Sequence, residues 1–468
     1  MVIEVYDHIA EYIEKGISKA KRLNQPILVS QVIPIKSFVP SSFFFSEYAH
    51  TCKHRFIWSS PTNDFECVGL GALAILRTNS NNRYQEIEVQ WESILRDRIS
   101  TPKSVQQGTG PLLFGGFSFD PQQTKETHWK HFGDGLFILP RYMYSLVDGG
   151  SWLTLNIIAG PEDSADHMSQ LIEQELAMLT SSTETQNSKE QKIHLQWVSD
   201  SLDEWTTRVQ EASKEINNGN IEKIVLARQL IVETDDDFNL KHILDMLDEE
   251  KEMTYRFAIQ IEGDCFVGAS PERLIKKDHI DMYTSCLAGS TPRGQTDDED
   301  ERLGEALLQD SKNLHEHEVV LRMIKQMMAK GCNNIQAPSE PILYKGKYIQ
   351  HLYTPVKGES THKVSLLQMV GNLHPTPALG GHPRIQALSM IRNIENFDRG
   401  WYASPLGWID HQGQGEFSVG IRSALIQGNK AHLYAGCGIV NQSIPIHEFE
   451  ETGVKFRTMV SALGGGMT

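Results

Sequence analysis

Paired cysteines, an excess of positive charge and any long apolar run are all missing from this chain of 468 residues. Its six cysteines, at 52, 67, 265, 286, 332 and 437, lie far apart with no CxxC pair. That argues against a zinc knot and a disulfide-dense secreted scaffold, and reduced, mostly buried thiols are expected. Lys and Arg number 44 against 60 Asp and Glu, a formal charge of −16, and no basic cluster stands out. A polyanionic partner such as nucleic acid is therefore not expected. No stretch approaches the ~20 apolar residues that span a bilayer. The opening Met1-Val-Ile-Glu-Val-Tyr-Asp-His8 has neither the basic region nor the apolar run of a secretory leader. The expectation is a cytoplasmic protein without membrane insertion. A fixed-period repeat is also absent, which removes solenoids and propellers.

What is present is an ordinary globular composition, 40% hydrophobic and 22% charged, enough for one large or two medium domains. The polar tract 180–192 has no aliphatic residue and divides the chain into a half at 1–195 and a half at 196–466. In the first half, apolar runs at 68–76, 112–119 and 152–159 predict strands, and 4–23 and 167–179 predict helices. In the second, Ser201-Leu-Asp-Glu204 has the form of a capping box, and Trp205, Val209, Ala212 and Ile216 follow at helical spacing, so a helix spans 201–217. Strands are predicted at 221–230, 255–261, 265–269, 280–286, 403–409, 416–425 and 430–435, with one long helix over 298–329. Strands and helices do not alternate strictly, so a doubly wound parallel sheet is disfavoured. The predicted class is mixed α/β (α+β), with large antiparallel sheets flanked by helices.

Several side chains sit oddly in these patterns. Glu448, Glu451 and Lys455 are spaced three and four apart along one helical face, as in a site or in a salt-bridge ladder. Glu316 shares a helical stripe with Val319, Val320 and Met323, where burial is costly without a cation. Three acids from two distant helices suggest a hard divalent metal. Lys223 shares a strand face with Val225 and Ala227. A solvent-facing lysine is the plain reading; a desolvated one has a lowered pKa and serves as a general base. Glu272, in Ala269-Ser-Pro-Glu-Arg-Leu274, falls just past a strand end, either as a first-turn helix acid or as a carboxyl group meeting a ligand. Ala288-Gly-Ser-Thr-Pro-Arg-Gly294 is a Gly-rich turn that suits a small anion and is equally common in plain loops. His351 and His374 stand beside Pro-stiffened turns, where a histidine is usually structural. Val419-Gly-Ile-Arg422 and Ala435-Gly-Cys-Gly438 supply an Arg fork and free amides suited to a carboxylate. Gly69-Leu-Gly-Ala-Leu-Ala74 matches a dinucleotide fingerprint on paper, but its flanks read as strand with no helix following.

Taken in order, these motifs, together with Tyr402 and Glu451-Thr-Gly-Val-Lys455, resemble the chorismate-utilising enzymes, most closely the isochorismate-forming branch. The resemblance covers about 196–466, with Gly115-Gly-Phe-Ser-Phe-Asp120 a weaker match in the first half. It implies one large fold of two packed, mainly antiparallel sheets with helices outside, chorismate as substrate, and Mg2+ (magnesium) as cofactor. It implies Lys223 as the base that activates water and Glu272 as the acid that protonates the departing hydroxyl. Glu316 and Glu451 resemble direct magnesium ligands, and Glu448 and Glu318 ligands through water. Tyr402, Arg422, Gly436 and Lys455 match positions that hold substrate carboxylates. Gly289 and His351 line the ring, and Ala378 and Leu379 contact its diene. Lys223 and Ala288 disfavour the amine-forming branches, so no glutaminase partner is expected. A salicylate-forming lyase and a siderophore-pathway isochorismate synthase remain the alternatives to a menaquinone-pathway enzyme.

Overall fold

The computed structural model describes residues 6–36, 39–61, 65–101, 106–181, 193–196, 201–250, 253–361 and 363–465. Long strands with alternating side chains organise it. Gly135–Val147 pairs along its length with Phe65–Thr78. On its other edge it pairs first with Leu112–Phe117 and then with Gly150–Ala159, so one strand belongs to two sheets. From it, one sheet continues through His54–Ser59, Tyr255–Ile261, Asp264–Ser270, Ser423–Gln427 and Lys430–Ile439 to Lys223–Thr234. The other continues through Pro405–Asp410, Gly415–Val419, Arg273–Asp278 and Asp281–Pro292 to Ile349–Ser360. Among the described residues every pairing is antiparallel except Ile27–Ile35 with Ile99–Ser100. The two halves of the chain interleave: His54–Ser59 pairs with Tyr255–Ile261, and Leu112–Phe117 with Pro405–Asp410.

The period-2 pattern sorts side chains into two cores. Phe56, Trp58, Phe257 and Ile259 meet Phe114, Phe137 and Phe417 from the other sheet, with Phe56 stacked on Phe114 at 4.4 Å. Ile57, Ala258 and Val267 point to the opposite face. There they are covered by helices Tyr6–Leu23, Ala165–Thr180, Leu240–Leu247 and Pro445–Ala462. Each fully buried aromatic or aliphatic side chain contributes about 1.5–3 kcal/mol. Five of the six cysteines are buried, Cys52 partly so, and all are unpaired. Among the described residues no helix is long and apolar enough to cross a membrane.

The capping box is formed, with Ser201 accepting from the Glu204 amide and Leu202–Asn217 as the helix. Phe65–Thr78 runs as one strand through the dinucleotide look-alike, with Gly71 at φ 68 and a bulge between Ala72 and Ala74, and no helix opens directly after the glycines. Most of the polar tract 180–192 lies outside the described residues. Two elements differ from expectation. The long helix is two, Asp297–Gln309 and Ser311–Met328, because Asp310 is extended (φ −73, ψ 111) and its carboxylate caps the second helix at the Asn313 amide, 2.7 Å away. The predicted strand 416–425 is also two, Gly415–Val419 and Ser423–Gln427, interrupted where Arg422 adopts φ 50. A non-glycine residue in that left-handed region costs about 1–3 kcal/mol.

Candidate active site

Where the two sheets end, a cavity of ≈ 300 Å³ opens. Its floor is built by two adjacent strands. On Lys223–Thr234, Lys223 and Val225 face it; on Lys430–Ile439, Tyr434, Gly436 and Gly438 do. The glycines are required by close approach. A Cβ at Gly438 would stand 2.7 Å from Lys223 Cε and 3.1 Å from its Nζ, and one at Gly436 would stand 3.2 Å from the Tyr402 hydroxyl. The strand therefore makes room for the lysine and for the Tyr402 hydroxyl.

Lys223 is buried but not surrounded by apolar groups alone: its Nζ donates to Glu316 Oε1 at 2.5 Å. Burial pushes the Glu316 carboxyl up, but Lys223, with Lys455 and Lys312 beyond, outweighs burial and holds it below its ordinary value. Glu272 follows Pro271 at the turn between Asp264–Ser270 and Arg273–Asp278, so it is no helix acid. It is 7% exposed, and burial raises its carboxyl to about 7 against the pull of Lys223, Lys455 and Arg422. The Val419 amide donates to the Glu272 carbonyl at 3.1 Å and fixes the turn.

On helix Pro445–Ala462, Glu448, Glu451 and Lys455 all reach the cavity. Lys455 Nζ donates to Glu451 Oε1 at 2.5 Å and to the Gly436 carbonyl at 2.8 Å. Glu448 is raised by burial and then by the neighbouring charge of Glu451. The break at 420–422 brings Arg422 to the wall. Gly289 lies in a register shift between Leu287 and Ser290, next to Ser290, the ladder partner of His351; that imidazole is lowered to about 3 by burial and by Arg422 and Lys455, and is neutral. Tyr402 stacks on Tyr434 at 5.3 Å.

Of the predicted residues, Lys223, Glu272, Gly289, Glu316, His351, Leu379, Tyr402, Arg422, Gly436, Glu448, Glu451 and Lys455 are brought together here. Glu318 is not. Two residues beyond Glu316 it is turned about 200° around the helix and is exposed, away from the cavity. His374 lies behind the site, fully buried, with its Nε2 3.0 Å from the Ala403 carbonyl, in a structural position.

Sequence reasoning missed Arg399, Tyr434, Lys312 and His447. Tyr434 had a signal, since it lies two residues before Gly436 on the same strand face. Arg399 had none. It is 2% exposed and forks onto both oxygens of Glu395 at 2.5 and 2.8 Å. It also donates to the carbonyls of Leu379 and Val225 at 3.1 and 2.8 Å, while Glu395 accepts the Ala227 amide. The pair thus ties the Leu379 loop to the strand that carries Lys223. Arg399→Lys keeps the charge and loses the planar fork. It is expected to lower unfolding free energy in urea by about 1.5–3 kcal/mol; unchanged stability would show that the tie is dispensable.

Glu316, Glu448 and Glu451 face one cavity, but two of them are turned onto lysines. Among the described residues no three His, Cys, Asp or Glu side chains are gathered as a ready metal cluster. The donor chemistry still fits a hard cation, since all three offer carboxylate oxygen. The Glu448–Glu451 repulsion is of the kind that a divalent ion relieves.

Comparison with known proteins places the chain in a family. A family model described as chorismate binding enzyme matches residues 15–464. The isochorismate synthase MenF of Bacillus subtilis (strain 168) is 40% identical over 473 residues, covering 99% of both chains. The salicylate biosynthesis isochorismate synthase of Pseudomonas aeruginosa is 33% identical over 97% of this chain and 94% of that one. The solved structure of MenF, the menaquinone-specific isochorismate synthase from Escherichia coli, superposes with a TM-score of 0.76 at 26% identity, covering 97% of this chain and all of that one. This chain belongs to the chorismate-binding enzyme family.

Proposed function

We propose that this protein is an isochorismate synthase, an isomerase that adds water to C2 of chorismate and removes the C4 hydroxyl. The observation that carries this is a buried Glu272 carboxyl, raised to about 7 and so available as an acid near neutrality, in the same cavity as the Lys223 amine. Water attacks C2, the two ring double bonds shift, and the C4–O bond breaks. Released from Glu316 and in its neutral amine form, Lys223 takes the proton that the water loses, and Glu272 gives its proton to the departing hydroxyl, so one water enters and one leaves. Base and acid belong to separate elements, as attack at one ring carbon and departure from another require. Arg422 and Tyr402, with the Gly436 backbone and Lys455, hold the substrate carboxylates. Gly289 and His351 line the ring, Leu379 packs on the diene, and the neutral imidazole of His351 adds no charge there.

Glu316 and Glu451, with Glu448 through water, are the residues that would hold magnesium. Bound there, a divalent cation would supply positive charge near the substrate carboxylate and would compete with Lys223 for Glu316. Glu451→Ala is expected to raise the magnesium concentration for half-maximal binding by about tenfold or more, with activity falling in parallel. Calorimetric titration with magnesium checks this, and an unchanged curve reassigns the ligand.

Incubation with chorismate and magnesium, followed by chromatography, tests the whole reading. Isochorismate without pyruvate supports it; salicylate plus pyruvate makes the protein a lyase; no turnover removes the enzyme. A role in menaquinone supply, a cytoplasmic location and action without a glutaminase subunit complete the proposal, the first resting on likeness to MenF proteins over nearly the whole chain.

A further inference from the structure

A second cavity, of ≈ 360 Å³, meets the first at Lys223. Both are bordered by Lys223, Lys312, Glu316, Val440 and Gln442. The geometry of helix Ser311–Met328 explains the division. At 100° per residue, Lys312, Glu316 and Val319 form one ridge, with Asn313 on one flank and Ser311 and His315 on the other. Asn313 lines the first cavity, and Ser311, His315 and Val319 line only the second. The Lys223–Glu316 ion pair therefore stands in the wall between the cavities, with side-chain exposures of only 8% and 24%. At the far rim, His382 Nε2 lies 3.7 Å from Glu222.

The chemistry gives this arrangement a use. The proposed reaction takes up one water at C2 and discharges one from C4, and a bound ring occupies the first cavity. Water bound for C2 then needs a route to the lysine that does not pass the ring. The second cavity has far more than the ~10–15 Å³ one water needs, and Ser311, His315, Asn441 and Gln442 offer polar partners along it.

We propose that the second cavity is the solvent inlet of the reaction, supplying the attacking water to Lys223 while chorismate enters and leaves through the first. This rests on the reading of Lys223 as the base. For this step Lys223 leaves its ion pair with Glu316 and gives its extra proton to solvent; the water oxygen then bonds to C2, its proton passes to the neutral amine Nζ, and the C4 hydroxyl departs with the proton of Glu272.

The test narrows each opening in the full-length, magnesium-loaded enzyme and follows single turnovers of chorismate by rapid quench. Ser311→Trp, at an exposed helix start, and Val319→Trp fill the inlet. Ile444→Trp fills the mouth of the first cavity, which Ile444 lines while half exposed. For the inlet variants the saturating rate is expected to fall about tenfold or more with the half-saturating chorismate concentration within about twofold. Magnesium affinity by calorimetry should stay unchanged, which a displaced Glu316 would not allow. For Ile444→Trp the half-saturating concentration should rise instead. The reverse pattern makes the second cavity the substrate entrance and overturns the proposal, as do wild-type kinetics in both folded inlet variants. A wild-type rate in Lys223→Gln condemns the base assignment itself, and the inlet variants then decide separately whether solvent passes this way.

Discussion

Glu272→Gln is expected to give a protein that turns over chorismate at least about 10²-fold more slowly and yet resists urea better than the parent above pH 7. The carboxyl lies at about 7 in the folded chain against an ordinary glutamate value of 4.5. Between those values the folded state keeps a proton that the unfolded state has lost, so rising pH favours unfolding. The penalty is absent below about pH 4.5, grows through pH 7, and approaches about 3 kcal/mol by pH 8. Glutamine is isosteric and carries no titrating proton, so the variant escapes this cost. Urea unfolding at pH 5 and pH 8 checks it: the advantage of the variant should widen with pH. A constant difference would show that the carboxyl titrates normally. In the parent enzyme the same group sets a loss of kcat/KM as pH rises past about 7, because the acid form disappears.

Lys223→Gln is expected to lower turnover by about 10²–10⁴-fold, with a second signature that mere damage would not produce. Lys223 occupies Glu316 Oε1. Its removal frees that carboxylate, so magnesium should bind more tightly even as chemistry is lost. Calorimetry against magnesium, beside a single-turnover assay, reads both. Weakened magnesium binding would mean that Lys223 organises Glu316 rather than competing for it, and wild-type turnover would remove Lys223 as the base. Some loss of stability accompanies the change, since a partly buried carboxylate loses its ion partner and keeps at best an amide N–H.

Much of the strand framework was legible because alternation is a local property. Tyr255–Ile261 has the predicted bounds and most predicted strands fall within four residues, but that predicted at 280–286 runs on to Pro292, Arg422 interrupts another, and Ile27–Ile35, His54–Ser59, Gly135–Val147 and Ile349–Ser360 are strands outside the predicted set. The two misread elements share a cause. Asp310 and Arg422 each take a conformation that their neighbours' hydrophobic pattern does not announce. One is stabilised by a cap and the other by the turn that carries the Arg fork to the cavity. Glu318 was drawn in by its position beside Glu316, although neighbours two apart on a helix face different ways.

By itself the sequence determined residue chemistry and short-range geometry: Glu448, Glu451 and Lys455 on one helical stripe, Lys223 on an apolar strand face, glycines at 436 and 438. Periodicity depends only on bonds along the chain, so these were readable from one end to the other. The tertiary structure alone decided which of those side chains meet. It set Lys223 against Glu316 across 93 positions, placed Glu272 where burial raises it, and brought in Arg399, whose fork on Glu395 is local but whose tie to the site runs through the distant carbonyls of Leu379 and Val225. Such pairings arise from packing two sheets on a shared core, and desolvation, which drives the carboxyl at 272 toward neutrality, exists only once that core has closed.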